Sequence, residues 1–252
     1  GDAITGDLYY TLFKGEADAK LMNEVCFDAF SVGNHEFDDG DSGLARFLDF
    51  LGEGECKTPV LAANILPEVG VSALAKKSVN DYLQPYTIIE KGGMKIGIIG
   101  IDIVGKTTIS SSPDETTKFL DEKETAQKYI DELKSKGIHH IILLTHFQYK
   151  NDINLAKSLK GVDIIVGGDS HTLLGDFSDL GLNSQGPYPT VIKNNHGNKV
   201  CVVQAWQYSQ IVGELNVTFD NNGNIKSCDG TPHMMLANSF KRKNAEGKRV
   251  EI

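Results

Sequence analysis

The apolar positions of the chain fall into helical and strand-like stretches that alternate along it. Leu21, Met22, Val25, Cys26 and Ala29 recur at helical spacing over residues 15–29. Glu16 and Asp18 stand in the first turn of that helix, where the helix dipole favours acids. Ala29-Phe30-Ser31-Val32 is a short apolar stretch that leads into Gly33-Asn34-His35-Glu36. Leu44, Phe47, Leu48 and Leu51 mark one face of a second helix, with Asp41 or Ser42 placed to cap it. Val60 to Asn64 reads as a strand, and Tyr86 to Glu90 and Met94 to Ile101 flank Gly92-Gly93 as a hairpin does. A helix over 121–136, with Ala126, Ile130 and Leu133 on one face, stops at Gly137, a left-handed C-terminal position.

Two further strands, 138–145 and 162–166, are apolar almost throughout, as strands covered on both faces are, and a short helix over 152–160 separates them. Beyond residue 185 the texture turns to β, with strands over 190–193, 200–205 and 211–219 and a turn at 221–224. No internal repeat or low-complexity segment interrupts this order, which predicts a layered α/β domain. The longest apolar runs, Ile96 to Ile103 and Ile138 to Leu144, fall well short of the roughly 18 residues of a membrane helix.

Charge narrows the partners. With 25 Lys+Arg against 34 Asp+Glu the net charge is −9, which argues against a general grip on nucleic acid. The basic cluster Lys241-Arg242-Lys243 with Lys248 and Arg249 reads as a solvated tail or linker. The chain opens on Gly1-Asp2 without an initiator Met and reads as a mature product or a fragment, so the lack of a signal peptide says little about compartment. Cys26, Cys56, Cys201 and Cys228 are spaced too widely for a zinc ribbon or a redox C-x-x-C pair. Their even number admits two disulfides or four buried thiols.

The polar residues with chemistry to offer collect at strand ends. Asn34-His35, Asn64, Thr145-His146 and Asp169-Ser170-His171 each follow an apolar strand, and Asp2 stands at the start of the chain. Ligands of open α/β sheets bind beyond the carboxyl ends of strands, so these loops can converge on one site. A set of oxygen and nitrogen donors without thiolate suits Zn, Mn, Fe or a similar divalent ion. Two such ions can stabilise both ends of an in-line displacement at phosphorus. His139, His140, His196 and His233 read as structural, His196 within the turn Asn194-Asn195-His196-Gly197-Asn198. Asn64 also fits as the end of its strand and Asp163 as the start of one.

Gly33-Asn34-His35-Glu36-Phe37-Asp38, with Gly1-Asp2, Thr145-His146 and Gly168-Asp169-Ser170-His171 in order, resembles the signature of the calcineurin-like metallophosphoesterases. Within that superfamily it is similar to the secreted branch of 5′-nucleotidases, UDP-sugar hydrolases and 2′,3′-cyclic phosphodiesterases. The blocks Pro187-Tyr188-Pro189-Thr190 and Cys201-Val202-Val203-Gln204-Ala205-Trp206 extend the resemblance over nearly the whole chain. It implies a four-layer α/β/β/α sandwich with two mixed β-sheets over residues 1–229. Residues 230–252 would then be a linker toward a C-terminal nucleotide-recognition domain that this chain lacks.

The activity it implies is hydrolysis of nucleoside 5′-phosphates to nucleoside and inorganic phosphate. Two divalent metal ions (Zn, Mn, Mg or Fe) would supply a bridging hydroxide as nucleophile. By motif, Asp2 resembles the bridging carboxylate, Asn34, His146 and Asp169 ligands of the second metal, His171 a ligand of the first, and His35 the catalytic histidine. Asp169 departs from the histidine of many relatives; it adds negative charge and favours a harder ion. Phe147-Gln148-Tyr149 replaces a commoner pattern with glycine second, and the Asp-x-His pair that completes the first metal site would lie upstream of Gly1. The same resemblance implies the disulfides Cys26–Cys56 and Cys201–Cys228 and a place outside the cytoplasm: extracellular, periplasmic or on the cell surface. It implies a nucleotide or other phosphate ester as substrate and no nucleic-acid polymer as partner. Two alternatives stand beside it: hydrolysis of UDP-sugars or 2′,3′-cyclic nucleotides at the same metals, and a non-catalytic surface or binding protein on the same scaffold.

Overall fold

The computed structural model describes residues 1–237, 241–244 and 246–251. Helices α1 (Leu8–Phe13) and α2 (Glu16–Val25) lead to β1 (Phe30–Ser31), a 3-10 turn at His35–Phe37 and α3 (Gly40–Gly52). Strands β2 (Val60–Leu61), β3 (Ile65–Pro67), β4 (Tyr86–Lys91) and β5 (Met94–Asp102) follow, then α4 (Val104–Ser110), β6 (Thr117–Phe119) and α5 (Glu122–Ser135). The order continues with β7 (His140–His146), α6 (Tyr149–Ser158), β8 (Ile164–Gly167), β9 (Thr190–Lys193) and β10 (Lys199–Gln204). Strands β11 (Ile211–Phe219), β12 (Ile225–Met234), β13 (Lys241–Lys243) and β14 (Arg249–Glu251) end it.

The apolar strands build the six-stranded sheet β4-β5-β7-β8-β10-β9. Its four central strands are parallel and the edge strands β4 and β9 antiparallel, so the sheet is mixed. Strands β1 and β2 pair in parallel as a second layer against β5 and β7. The two layers come so close at Gly100 that a Cβ there would lie 2.5 Å from Leu61. One core gathers Ala19, Phe30, Leu44, Phe47 and Val60 between α2, α3 and the β1–β2 layer. The other gathers Ile99, Ala126, Ile130, Leu133, Ile141, Leu155 and Ile165 between α5, α6 and the large sheet. The result is the expected α/β/β/α order of layers, with β7 and β8 side by side at its centre.

The hairpin at Gly92-Gly93 and the stop at Gly137 (φ +78°) form as the pattern predicts. Asp121 begins α5 by accepting the Glu124 amide at 2.8 Å. The cap foreseen for α3 does not form. Asp41 lies inside its first turn, wholly buried, and accepts from Ser72 Oγ, Thr117 Oγ1 and the Asp114 amide. Helices α1 and α4 have no counterpart in the periodic reading. The expected domain boundary at 229/230 falls within β12, which pairs along its length with β11, and residues 238–240, 245 and 252 of the expected linker lie outside the described residues. The basic cluster is not a plain tail: β13 and β14 pair as an antiparallel hairpin. Both disulfides form. Cys26–Cys56, with Cα atoms 5.3 Å apart, ties the end of α2 to the loop beyond α3, and Cys201–Cys228, at 6.3 Å, ties β10 to β12.

Candidate metal centre

Three loops and the chain start deliver the site. Because β7 and β8 run parallel and adjacent, their carboxyl ends lie together and present His146 and, two residues past β8, Asp169. The loop after β1 brings Gly33-Asn34-His35, and Glu36 fixes the chain start against it. The Glu36 carboxylate accepts the Gly33 amide, the Asp2 amide at 2.8 Å and the Ala3 amide at 2.7 Å. Gly33 is required by contact: a Cβ there would stand 2.5 Å from Asp2 Oδ1 and 2.8 Å from the His146 ring. Backbone strain gathers at the same rim. Asp2, Gln148, Asp169 and His171 all hold left-handed φ, between +49° and +74°, which costs non-glycine residues on the order of 1–3 kcal/mol each.

Among the described residues, Asp2, His146 and Asp169 form a group able to hold a metal ion, their donor atoms within 4.8 Å of one another. His146 Nε2 lies 3.0 Å from Asp2 Oδ2 and 3.4 Å from Asp169 Oδ1. Burial pushes the His146 imidazole down, and the two carboxylates more than offset that, so it titrates above its ordinary value. Burial likewise pushes Asp2 and Asp169 up, but His146 with other donors (the His35 amide at Asp2, Lys106 at Asp169) carries both below the usual carboxylate range. The same two carboxylates lower the electrostatic energy of a cation placed between them, although a metal at the imidazole nitrogen would have to displace its proton. Buried atoms without a partner point the same way: Asn34 Oδ1, Asp169 Oδ2 and His146 Nδ1. Leaving such atoms unpaired costs about 1–3 kcal/mol each, and a divalent cation served by carboxylate, amide and imidazole donors would answer part of that cost. The residues present therefore fit such an ion.

His35 is set apart from this group. Its Nδ1 meets Asp38 Oδ2 at 2.7 Å, its ring is half exposed, and its backbone amide donates to Asp2 Oδ1 at 3.0 Å. Ser111 Oγ donates to Asp38 Oδ1 at 2.9 Å and accepts from Asn34 Nδ2 at 3.5 Å. His171 is exposed at the rim, its ring edge-on to Tyr208 with centroids 5.6 Å apart. Asn64 is a clamp within the fold: its amide exchanges hydrogen bonds with the backbone of Asp102 at 2.9 and 3.0 Å. Asn194 Oδ1 holds the turn containing His196, His140 packs on Phe219, and His233 meets Glu214. Asp163 accepts the Ile141 amide at 2.8 Å where β7 begins.

The sequence pattern assigned no role to Glu36, Asp38, Ser111 or Lys106. Asp38 could have been found, since it stands three residues from His35 inside a short helical turn, where the two side chains share a face. Lys106 could not; its Nζ meets Asp169 Oδ1 from 63 positions away.

The fold and the strand-end cluster together define a domain of the metallophosphoesterase kind. No family profile matches the chain. Over its full length it is 43% identical to a probable 5′-nucleotidase of Treponema pallidum and 44% identical to the NAD 5′-nucleotidase of Haemophilus influenzae. It spans 41% and 40% of those two proteins. The solved structure of the Haemophilus influenzae NAD nucleotidase superposes on all of the chain with a TM-score of 0.89, the match covering 48% of that structure. Over its full length the chain is thus similar to part of proteins named 5′-nucleotidase, and it has the fold of the calcineurin-like phosphoesterases.

Proposed function

We propose that the chain is the metal-holding catalytic domain of a phosphoric ester hydrolase that releases inorganic phosphate from nucleoside 5′-phosphates. The observation that carries this reading is the convergence of Asp2, His146 and Asp169 from three distant segments. In it, Asp2, Asn34, His146 and Asp169 would hold one divalent ion, and Asp2 and His171 would help to hold another. Ions held there would supply a nucleophile from water at neutral pH and would neutralise the phosphoryl oxygens. His35 acts on the phosphoryl group or the leaving oxygen through Nε2, because Asp38 already engages Nδ1. Asp38 and Ser111 keep that ring in place, and Glu36 holds Asp2 where it must be.

The similarity to an NAD 5′-nucleotidase supports a second reading in which the substrate is a dinucleotide. Two disulfides support work in an oxidising compartment, outside the cell or in the periplasm. The residues beyond β12 lead, in this reading, to a nucleotide-recognition domain. The deciding experiment strips the protein with chelator, restores Mn²⁺ or Zn²⁺, and measures inorganic phosphate released from AMP and the phosphomonoesters released from NAD, UDP-glucose and a 2′,3′-cyclic nucleotide. Metal-dependent release from AMP or NAD is expected. Nucleotide binding without turnover at any metal would make the scaffold a binding protein instead.

A further inference from the structure

Lys106 is tied into the metal centre without being one of its ligands. It stands on α4, whose side-chain hydroxyls bond back along the helix: Thr107 to Ile103 O at 2.7 Å, Thr108 to Val104 O at 2.8 Å and Ser110 to Lys106 O at 2.7 Å. Glu122 accepts the Val104 amide at 2.9 Å and fixes the helix start. The stem of Lys106 thus leaves a braced turn, and its ammonium pairs with Asp169 Oδ1, the same oxygen that lies 3.4 Å from His146 Nε2. Asp169 is wholly buried at its side chain, whereas Lys106 is 38% exposed. Lys106 therefore links a wholly buried carboxylate of the cluster to a side chain that is partly open to solvent.

An ammonium carries three N–H donors. One is spent on Asp169; the exposed face leaves the others for a group in the mouth of the site. A phosphoryl dianion arriving there meets the carboxylates of Asp2, Asp38 and Asp169, so a positive charge beside them lowers the repulsion it must overcome. Building on the reading of the site as a metal-dependent phosphoesterase, we propose that Lys106 is a phosphoryl-binding residue. Asp169 orients it, and its free donors grip the phosphoryl oxygens of the substrate.

The test is calorimetric and needs no turnover. Mn²⁺ is titrated into the full chain, then inorganic phosphate into the Mn²⁺-loaded protein, for the wild type, K106M, K106Q and K106R. Loss of a charge-assisted hydrogen bond should weaken phosphate binding about tenfold in K106M and K106Q, with Mn²⁺ affinity held within about threefold and K106R close to wild type. Melting curves matching the wild type show that either neutral variant is folded. Phosphate affinity unchanged in both neutral variants overturns the inference while leaving the metal centre intact. A tenfold loss of Mn²⁺ affinity with phosphate merely following it makes Lys106 a brace for Asp169, which also overturns it. A wild-type protein that takes up no Mn²⁺ removes the metal-centre reading itself, and the inference with it.

Discussion

Asp41 and Asp169 are both buried aspartates, and the chain surrounds them in opposite ways. Asp41 is saturated by hydroxyls from Ser72 and Thr117 and by the Asp114 amide, so that one carboxylate joins α3 to two segments far along the chain. Asp169 keeps Oδ2 without a partner, on left-handed backbone, close to the equally unpartnered His146 Nδ1, and the buried Asn34 Oδ1 likewise has no partner. Buried polar groups in a settled fold are paired. Other buried atoms, such as Asp102 Oδ1 and Asp152 Oδ2, are also without a partner, but among the described residues only around Asp169 do such atoms lie beside a cluster of donors able to hold a cation. Residue type does not separate the two cases; completeness of the surroundings does.

The sharpest way to break this contrast lies at His35, which belongs to the open region by position yet is half exposed and already paired with Asp38. His35→Asn should lower kcat by about 10²–10³-fold, the cost of removing a group that acts on developing charge. Its melting temperature and metal content should stay at the wild-type values, as read by thermal unfolding and by elemental analysis. Asn34→Ala should do the reverse to metal content, and added metal should restore part of its turnover. If His35→Asn keeps full turnover on AMP, His35 leaves the mechanism.

Asp41→Ala tests the closed region. It strips two buried hydroxyls and an amide of their acceptor, at about 1–3 kcal/mol for each group left unpaired, and so should cost about 3–5 kcal/mol in denaturant unfolding. Mn²⁺ affinity of the folded variant should not move. A variant of wild-type stability with weakened metal binding would reverse the assignment of the two aspartates. The Cys201→Ser/Cys228→Ser pair should cost somewhat less, about 3 kcal/mol, because opening a bridge with a sequence separation of 27 restores freedom to the unfolded chain. That bridge holds the β11–β12 hairpin to the large sheet, so protease sensitivity should rise first in that hairpin.

How far the sequence foretold each region follows from the range of the forces involved. The hairpin at Gly92-Gly93, α5 and the apolar strands β7 and β8 were readable because their period and punctuation are local. Helix α1 was not, since Leu8, Tyr9 and Leu12 face solvent and leave no inward stripe. Helix α4 is rich in Thr, Ser and Ile, poor helix formers, and is held by hydroxyl back-bonds and by Glu122 from 18 residues away. Strand β12 has no counterpart in the sequence reading: the resemblance implies a linker from residue 230 on, and Gly230 and Pro232 pair with β11 all the same. At the site, the motifs named Asp2, Asn34, His35, His146, Asp169 and His171 as candidates. They carried no sign of Lys106 on Asp169, or of Ser111 linking Asn34 to Asp38, because those contacts depend on the folded arrangement of distant segments.

Asp163 lies between the two cases and yields the smallest effect. One oxygen accepts the Ile141 amide at 2.8 Å, and burial pushes the carboxyl up to about 6, with the Ile141 amide and Lys134 pulling weakly the other way. The folded chain therefore binds this proton more tightly than the unfolded chain does. The contribution to stability is fully present below about pH 4, declines as pH rises through the window up to about 6, and stays at its low value above. Asp163→Asn keeps an acceptor for Ile141 and removes the titration. Its stability should match the wild type near pH 4 and exceed it near pH 7, the gap opening by on the order of 1–3 kcal/mol across that window. Urea unfolding of both proteins at a series of pH values measures the difference directly, and the titration of every other group common to both cancels. A variant that is less stable than the wild type at pH 7 would mean that the charged Asp163 is well served by its surroundings. One amide and the charge of Lys134 would then suffice to close a buried carboxylate, and the open oxygen of Asp169 would lose its force as a sign of a cation site.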